Sequence, residues 1–235
     1  MLIVPLVPIE VLPGHGIYPG PDGLSLPPRM RWLAPDAAAS WAIIQESVVI
    51  SDAYRSAESS LVAMTQKSGV LPPAFSRHGY GRALDLDVTK TLKMGQFASK
   101  IELDVWMEGR GWYCHRLDHK SGSESWHFNY LPGVRQGAGV HRPGERSTGL
   151  AGERELSKLF GEQWNLTPKE TQRALALTKF YGGPEDGILG KFSRAAGEAF
   201  ARAWRIPLNN FDARFRRVLA FVAAGSPVAS GSVFV

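Results

Sequence analysis

The residue types best suited to chemistry lie in two short segments of the chain, which contain His78, Asp85, Glu124 and His127. Imidazole and carboxylate groups are ordinary ligands of zinc. A set of three leaves the fourth tetrahedral position open, as hydrolytic sites require. With Glu124 as a spare carboxylate, these residues predict a hydrolytic zinc site rather than a structural one.

The cysteine content and the charge of the ligand set agree with this prediction. The chain has one cysteine, Cys114, which excludes a closed thiolate site. Two neutral histidines and one aspartate leave a divalent ion with a net charge of about +1, which suits it to activate water and polarise a carbonyl. Glu124 precedes His127 by three residues, so a backbone that directs His127 to the metal also brings Glu124 close, where a general base has to lie.

Both segments resemble the SxHxxGxAxD and ExWH signatures of the D-alanyl-D-alanine carboxypeptidase family of zinc peptidases. That family includes vancomycin-resistance dipeptidases and carboxypeptidases and several phage endolysins. Every fixed position of the two signatures is matched, by Ser76, His78, Gly81, Ala83, Asp85, Glu124, Trp126 and His127. The resemblance implies that His78, Asp85 and His127 hold zinc and that Glu124 is the catalytic base.

Three further residues are candidates for substrate contact. Residues 48–56 resemble the family's strand that ends in an arginine, and Arg55 is the match; its planar fork suits a substrate carboxylate or a developing oxyanion. Ser76 is expected to donate a hydrogen bond to substrate, because no histidine–carboxylate relay is left to activate it as a nucleophile. Trp126 is expected to pack and so fix the ligand strand, with a direct substrate role left open.

The sequence also contains two alternative sets of metal ligands. Asp87 shares a face with Asp85 in the alternating run 84–88, and it is expected to support the ligands as a hydrogen-bond acceptor. His115 and His119 lie four residues apart and could share a helical face. Glycines on both sides of that stretch favour a loop instead, so a second metal site there is the weaker interpretation.

The elements that must position these residues predict a mixed α+β catalytic part. Apolar patterning predicts helices at 36–46 and 59–67 and strands at 48–51, 84–88 and 126–130. Ligands on adjacent antiparallel strands are held rigidly, as a metal site requires. The family resemblance implies the same fold, a small antiparallel sheet flanked by helices.

Charge and composition predict a second, helical region. Residues 1–132 carry 12 Lys and Arg against 13 Asp and Glu, a net charge of −1, whereas residues 133–235 carry 15 against 9, a net charge of +6. We therefore predict a catalytic domain at 1–132, a glycine-rich linker at 133–152 and a helical domain at 153–235. Thr167 and Pro168 predict a helix start.

The helical region resembles a small three-helix peptidoglycan-binding domain. The matching residues are Gln172, Leu175, Tyr181, Asp186, Gly187, Leu189 and Gly190. The pairs Ser193-Arg194 and Phe200-Ala201 depart from the usual pattern, and a generic three-helix bundle is the alternative. A basic surface favours polyanions, and without a nucleic-acid-binding motif an anionic envelope polymer is the expected partner.

The functional expectation is a zinc-dependent peptidase that cleaves the peptidoglycan stem peptide, as in a phage endolysin of the L-alanyl-D-glutamate endopeptidase type. The alternatives are a D-Ala-D-Ala carboxypeptidase and a non-catalytic wall-binding or virion structural protein. A third alternative, a nucleic-acid-binding protein, is supported by the net charge alone. We expect a monomer with no nucleic-acid partner and no membrane span. The apolar start lacks a basic n-region, so we expect synthesis in the host cytoplasm and action on the wall after release.

Overall fold

The structure, a computed structural model, describes residue 2 and residues 4–12, 31–66, 71–114, 124–132 and 147–224, with the side chains of the last range from residue 153 onward. Within these residues eight α-helices accompany a four-stranded antiparallel sheet, which confirms the mixed α+β class. The chain divides into two compact units. The sheet unit comprises residues 5–55 and 80–156, and the helical unit comprises residues 1–4, 56–79 and 157–235.

The described residues of the sheet unit form six short strands. They are β1 Val7–Pro8, β2 Trp32–Leu33, β3 Ile50–Asp52, β4 Ala83–Leu86, β5 Trp112–Cys114 and β6 His127–Tyr130. Strands β1 and β2 form an antiparallel two-stranded ribbon. The other four form an antiparallel sheet of order β3-β4-β6-β5. The central strands β4 and β6 pair with each other. Each of these two strands therefore has a hydrogen-bonded neighbour on both sides.

Three helices flank this sheet, α1 Pro35–Ile44, α3 Val88–Lys93 and α4 Lys100–Glu108. Trp41 from α1 lies in one buried cluster with Leu84 of β4, Trp112 of β5 and Phe128 of β6. The indole nitrogen of Trp41 donates to the carbonyl of Glu10 at 2.8 Å, so even the largest core residue has its polar atom satisfied.

The predicted elements are present with shifted ends. The helices expected at 36–46 and 59–67 are α1 and α2 Ala57–Gln66. The strand predicted at 84–88 was too long, because β4 ends at Leu86 and Val88 already begins α3. Asp87 causes the change, since its carboxylate accepts from the backbone nitrogen of Lys90 at 2.9 Å and caps the helix.

The helical unit contains α2, the C-terminal part of α5 Ser147–Trp164, α6 Pro168–Leu177, α7 Lys191–Ala203 and α8 Ala213–Ala223. The start predicted at Thr167 is confirmed, because Thr167 and Glu170 form a reciprocal capping box with Pro168 in the first turn. Helix α6 contacts both α7 and α8. Phe200 of α7 packs edge-on against Phe215 of α8, with ring centroids 5.5 Å apart.

A buried glutamine ties the turn between α6 and α7 to α6. The amide nitrogen of Gln172 donates to Asp186 Oδ1 at 2.8 Å, and its amide oxygen accepts from the backbone nitrogen of Gly187 at 2.7 Å. Gly187 has a φ of +81°, a conformation that glycine adopts without strain. The glutamine, aspartate and glycine of the predicted pattern therefore act together as one structural lock.

The segment before His78 packs with the C-terminal helices, a grouping that the sequence did not predict. Arg217 of α8 is buried with its guanidinium between the rings of Phe75 and Trp164, 4.2 and 3.9 Å from their centroids, and its Nε donates to the carbonyl of Ala74 at 2.8 Å. The proposed boundaries at 132 and 153 stay predictions. Of the described helices, none is both long and apolar enough to cross a membrane.

Candidate metal centre

Two of the predicted ligands face each other across the centre of the sheet. Asp85 of β4 is paired directly with His127 of β6, and its Oδ1 lies 2.8 Å from His127 Nδ1. Directly opposed residues in an antiparallel pair hold their side chains within contact distance. The strand register therefore brings together two groups that are 42 residues apart in the sequence.

His78 completes a three-donor group. It lies in a 3₁₀ turn, Arg77–Tyr80, and one potential ligand atom from each of His78, Asp85 and His127 lies within 4.8 Å of the others. His78 is buried, and Asp85 and His127 are partly buried. The structure thus assembles the three predicted ligands into a group that can hold a metal ion.

Gly81 connects the turn to β4 and has no room for a side chain. Its φ is +63°, and an added Cβ would lie 2.5 Å from the backbone nitrogen of Ala34 and from a methyl of Leu6. Both the left-handed backbone and the close approach therefore require glycine. The local backbone and packing thus explain why position 81 is a glycine, without reference to any family.

The donor chemistry and spacing of the group fit a transition-metal ion. Ligand atoms around a tetrahedral zinc ion lie roughly 3.3 Å apart, given bond lengths of about 2.0–2.2 Å. Separations of up to 4.8 Å exceed this value by about 1.5 Å, so the three donors are grouped at nearly the spacing that a bound ion requires. Two imidazoles and a carboxylate suit zinc and other first-row ions, so the donor set does not by itself select the metal.

Arg55 lies beside the group in an ion-pair network that includes a residue the sequence did not suggest. Asp52, Asp85 and His127 form a row across β3, β4 and β6. Arg55 Nη2 is 2.6 Å from Asp52 Oδ2 and 3.6 Å from Asp85 Oδ2. Adjacent carboxylates repel each other, and the guanidinium compensates both. The sequence did not suggest Asp52, because the alternation within its strand shows which face of the sheet it lies on but not which residue of the next strand it pairs with.

The electrostatic environment of Arg55 favours its charged form. Burial lowers the pKa of Arg55, but the charge and hydrogen bond of Asp52, together with the charges of Asp85 and Glu124, raise this pKa above its ordinary value. The guanidinium is therefore a permanent positive charge next to the three-donor group.

His127 has a contact at each ring nitrogen. Besides Nδ1 near Asp85, its Nε2 lies 3.1 Å from the side-chain oxygen of Asn129, a residue only 2% exposed. Burial lowers the pKa of His127, but the hydrogen bond and charge of Asp85, the charge of Glu124 and the Asn129 contact raise it above the ordinary value. Asn129 was also missed, although its position two residues after His127 puts both on one face of a strand.

Glu124 lies next to the three-donor group without belonging to it. The backbone nitrogen of His127 donates to the carbonyl of Glu124 at 3.0 Å, which closes a turn. The Glu124 side chain is exposed, and its charge acts on both His127 and Arg55. Its charge is therefore part of the electrostatic environment of the group.

Other candidate residues lie around this centre or outside the described residues. The carbonyl of half-buried Ser76 accepts from the backbone nitrogen of Gly79 at 3.1 Å, which opens the 3₁₀ turn. Trp126 is 44% exposed, so it packs only in part, and its carbonyl accepts from the backbone nitrogen of Leu86 at 2.9 Å. His115 and His119 lie outside the described residues.

No family model, curated protein or solved structure matches the chain. Function is therefore inferred from the chemistry of the site.

Proposed function

We propose that this protein is a zinc-dependent peptidoglycan peptidase of the D-alanyl-D-alanine carboxypeptidase family, an endolysin that cuts the stem peptide as an L-alanyl-D-glutamate endopeptidase. The observation that carries the proposal is the three-donor group of His78, Asp85 and His127, with ligand atoms within 4.8 Å of one another. A zinc site with three protein donors keeps its fourth coordination position open for water or substrate. Glu124 lies close enough for its charge to act on His127.

In the proposed reaction, His78, Asp85 and His127 would hold zinc, which would supply Lewis acidity for the scissile carbonyl and the attacking water. Glu124 takes a proton from that water as it attacks and returns the proton to the leaving amine. The exposed position of Glu124 leaves its carboxylate accessible to substrate and solvent.

Arg55 supplies positive charge at the substrate end of the same site. Its bond to Asp52 at 2.6 Å fixes the guanidinium, and a fixed guanidinium orients a substrate carboxylate or the acyl oxygen. Ser76 donates a hydrogen bond to the peptide. The approach of Arg55 to Asp85 at 3.6 Å gives it a second task, which is to compensate the negative charge of the ligand carboxylate.

The basic region at 133–235, with a net charge of +6, is proposed to bind the wall polymer. Binding there raises the local concentration of stem peptide at the catalytic site without changing the chemistry. The capped α6 and the glycine turn locked by Gln172 form a rigid scaffold for such a surface.

The test is mass spectrometry of the products that the zinc-loaded protein releases from purified peptidoglycan. Cleavage between L-alanine and D-glutamate supports the endopeptidase, and release of free D-alanine identifies the carboxypeptidase instead. Glu124→Gln is the matched inactive control. A zinc-loaded protein that binds sacculi but releases nothing would identify a non-catalytic wall-binding protein and overturn the proposal.

A further inference from the structure

We infer that Asn129 is a positioning residue of the metal centre, whose side-chain oxygen holds His127 in the tautomer that presents Nδ1 to the metal. The inference rests on the metal site in the proposed function, but not on the peptidase activity. It is carried by the two contacts of the His127 ring and by the burial of Asn129.

The first step concerns which ring nitrogen can bind metal. Asp85 and His127 are members of the same three-donor group, and the nitrogen that lies 2.8 Å from Asp85 is Nδ1. Nε2 is directed at Asn129. An ion shared by Asp85 and His127 therefore has to use Nδ1.

The second step concerns the ring proton. A neutral imidazole carries one N–H, and the nitrogen that binds metal has to offer a lone pair. If Nδ1 binds metal, the proton is on Nε2 and needs an acceptor. The side-chain oxygen of Asn129, 3.1 Å away, is that acceptor, which is the usual arrangement behind a metal-bound histidine.

The third step concerns the surroundings of Asn129. It pairs with Ala83 of β4 and Tyr113 of β5, and all three residues are at most 2% exposed. A buried amide is costly unless it is hydrogen bonded, and an apolar residue would fit a sheet interior of this kind. The bond to His127 gives the polar side chain a reason to be there.

The test compares Asn129→Leu, which keeps the approximate volume but removes the acceptor, with Asn129→Asp, which keeps an acceptor. The exposed Asn165 supplies the matched control, Asn165→Leu. Zinc affinity of the full chain is measured by competition with a chromophoric chelator. We expect Asn129→Leu to lose roughly 10–100-fold in affinity, while Asn129→Asp and Asn165→Leu stay near the wild type. Wild-type affinity in a folded Asn129→Leu protein overturns the inference.

A second measurement does not depend on the folding of any Asn129 variant. Nitrogen-15 NMR of the zinc-loaded wild-type protein reports which nitrogen of His127 carries the proton once metal has displaced the bond to Asp85, with His127→Ala used to assign the signal among the six histidines. We expect the proton on Nε2; a proton on Nδ1 overturns the inference. A wild-type protein that binds no zinc refutes the metal centre itself, and one that binds zinc but cleaves nothing refutes only the peptidase.

Discussion

Asn129 in the sheet unit and Gln172 in the helical unit are both buried amides, and they bond to different kinds of partner. Gln172 donates to Asp186 and accepts from the backbone of Gly187, so its contacts close a turn. Asn129 contacts the ring of His127, a member of the three-donor group. A buried amide that bonds to its own turn explains local structure. A buried amide that contacts a histidine of a potential metal-binding group instead indicates a role at a functional site.

The largest effect is expected from His127→Ala. Loss of one of three donors should reduce bound zinc from about one per chain to none and abolish turnover, because two remaining ligands hold the ion weakly. Metal analysis after dialysis is the measurement, with His119→Ala as the control that also tests the alternative site. Full zinc content in the His127→Ala protein would refute His127 as a ligand.

Glu124→Gln should separate catalysis from metal binding. Loss of a general base typically lowers the rate by about 10²–10⁴, while zinc content and fold should be unchanged, because Glu124 lies outside the three-donor group. Product release from peptidoglycan and metal analysis are measured on the same preparation. If zinc falls together with activity, Glu124 is a ligand and the role of Asp85 has to be reassigned.

Gln172→Leu should affect stability alone and so sharpen the contrast between the two amides. The substitution removes the hydrogen bonds from the buried amide to Asp186 and Gly187 of the turn, and each intramolecular hydrogen bond typically contributes about 0.5–1.5 kcal/mol. Urea unfolding followed by circular dichroism measures the loss, again with Asn165→Leu as the control. Zinc affinity should equal that of the wild type, and a decrease there would mean that the structural lock also serves the metal centre.

The smallest effects concern pH, and they have opposite signs in the two units. The raised pKa of His127 means that the folded metal-free protein binds this proton more tightly than the unfolded chain. Its contribution to stability is present below the ordinary value of 6.5 and is lost as pH rises through the folded pKa. The unfolding free energy of metal-free wild type minus that of His127→Ala should therefore decrease across this range.

In the helical unit the backbone and side chain of Thr167 lower the pKa of Glu170. That contribution is present above the ordinary value of 4.5 and is lost as pH falls through the folded pKa. Comparison with Glu170→Gln over the acidic range measures it. A contribution from Glu170 that instead grew on acidification would contradict the capping box as the cause.

Zinc binding adds a third pH effect. Protons compete with metal for His127, so zinc affinity should fall as pH drops through its raised pKa, by at most about tenfold per pH unit for one proton. Chelator competition at several pH values measures the slope.

Local sequence determined a large part of this protein. The identities and spacing of His78, Asp85 and His127 predicted a group that the structure assembles, and Thr167 with Pro168 predicted a helix start that is confirmed. Such signals are local, because a cap is decided by hydrogen bonds within one turn. The alternation of a strand likewise shows which residues share a face.

Tertiary structure alone decided which faces meet. The row of Asp52, Asp85 and His127 depends on the register of three strands, and a shift of one residue would turn each side chain to the other face of the sheet. The bond from Arg217 to Ala74 joins residues 143 positions apart, and no periodicity within either segment encodes it. Register and long-range packing are properties of pairs of segments, so they emerge only when the chain has folded.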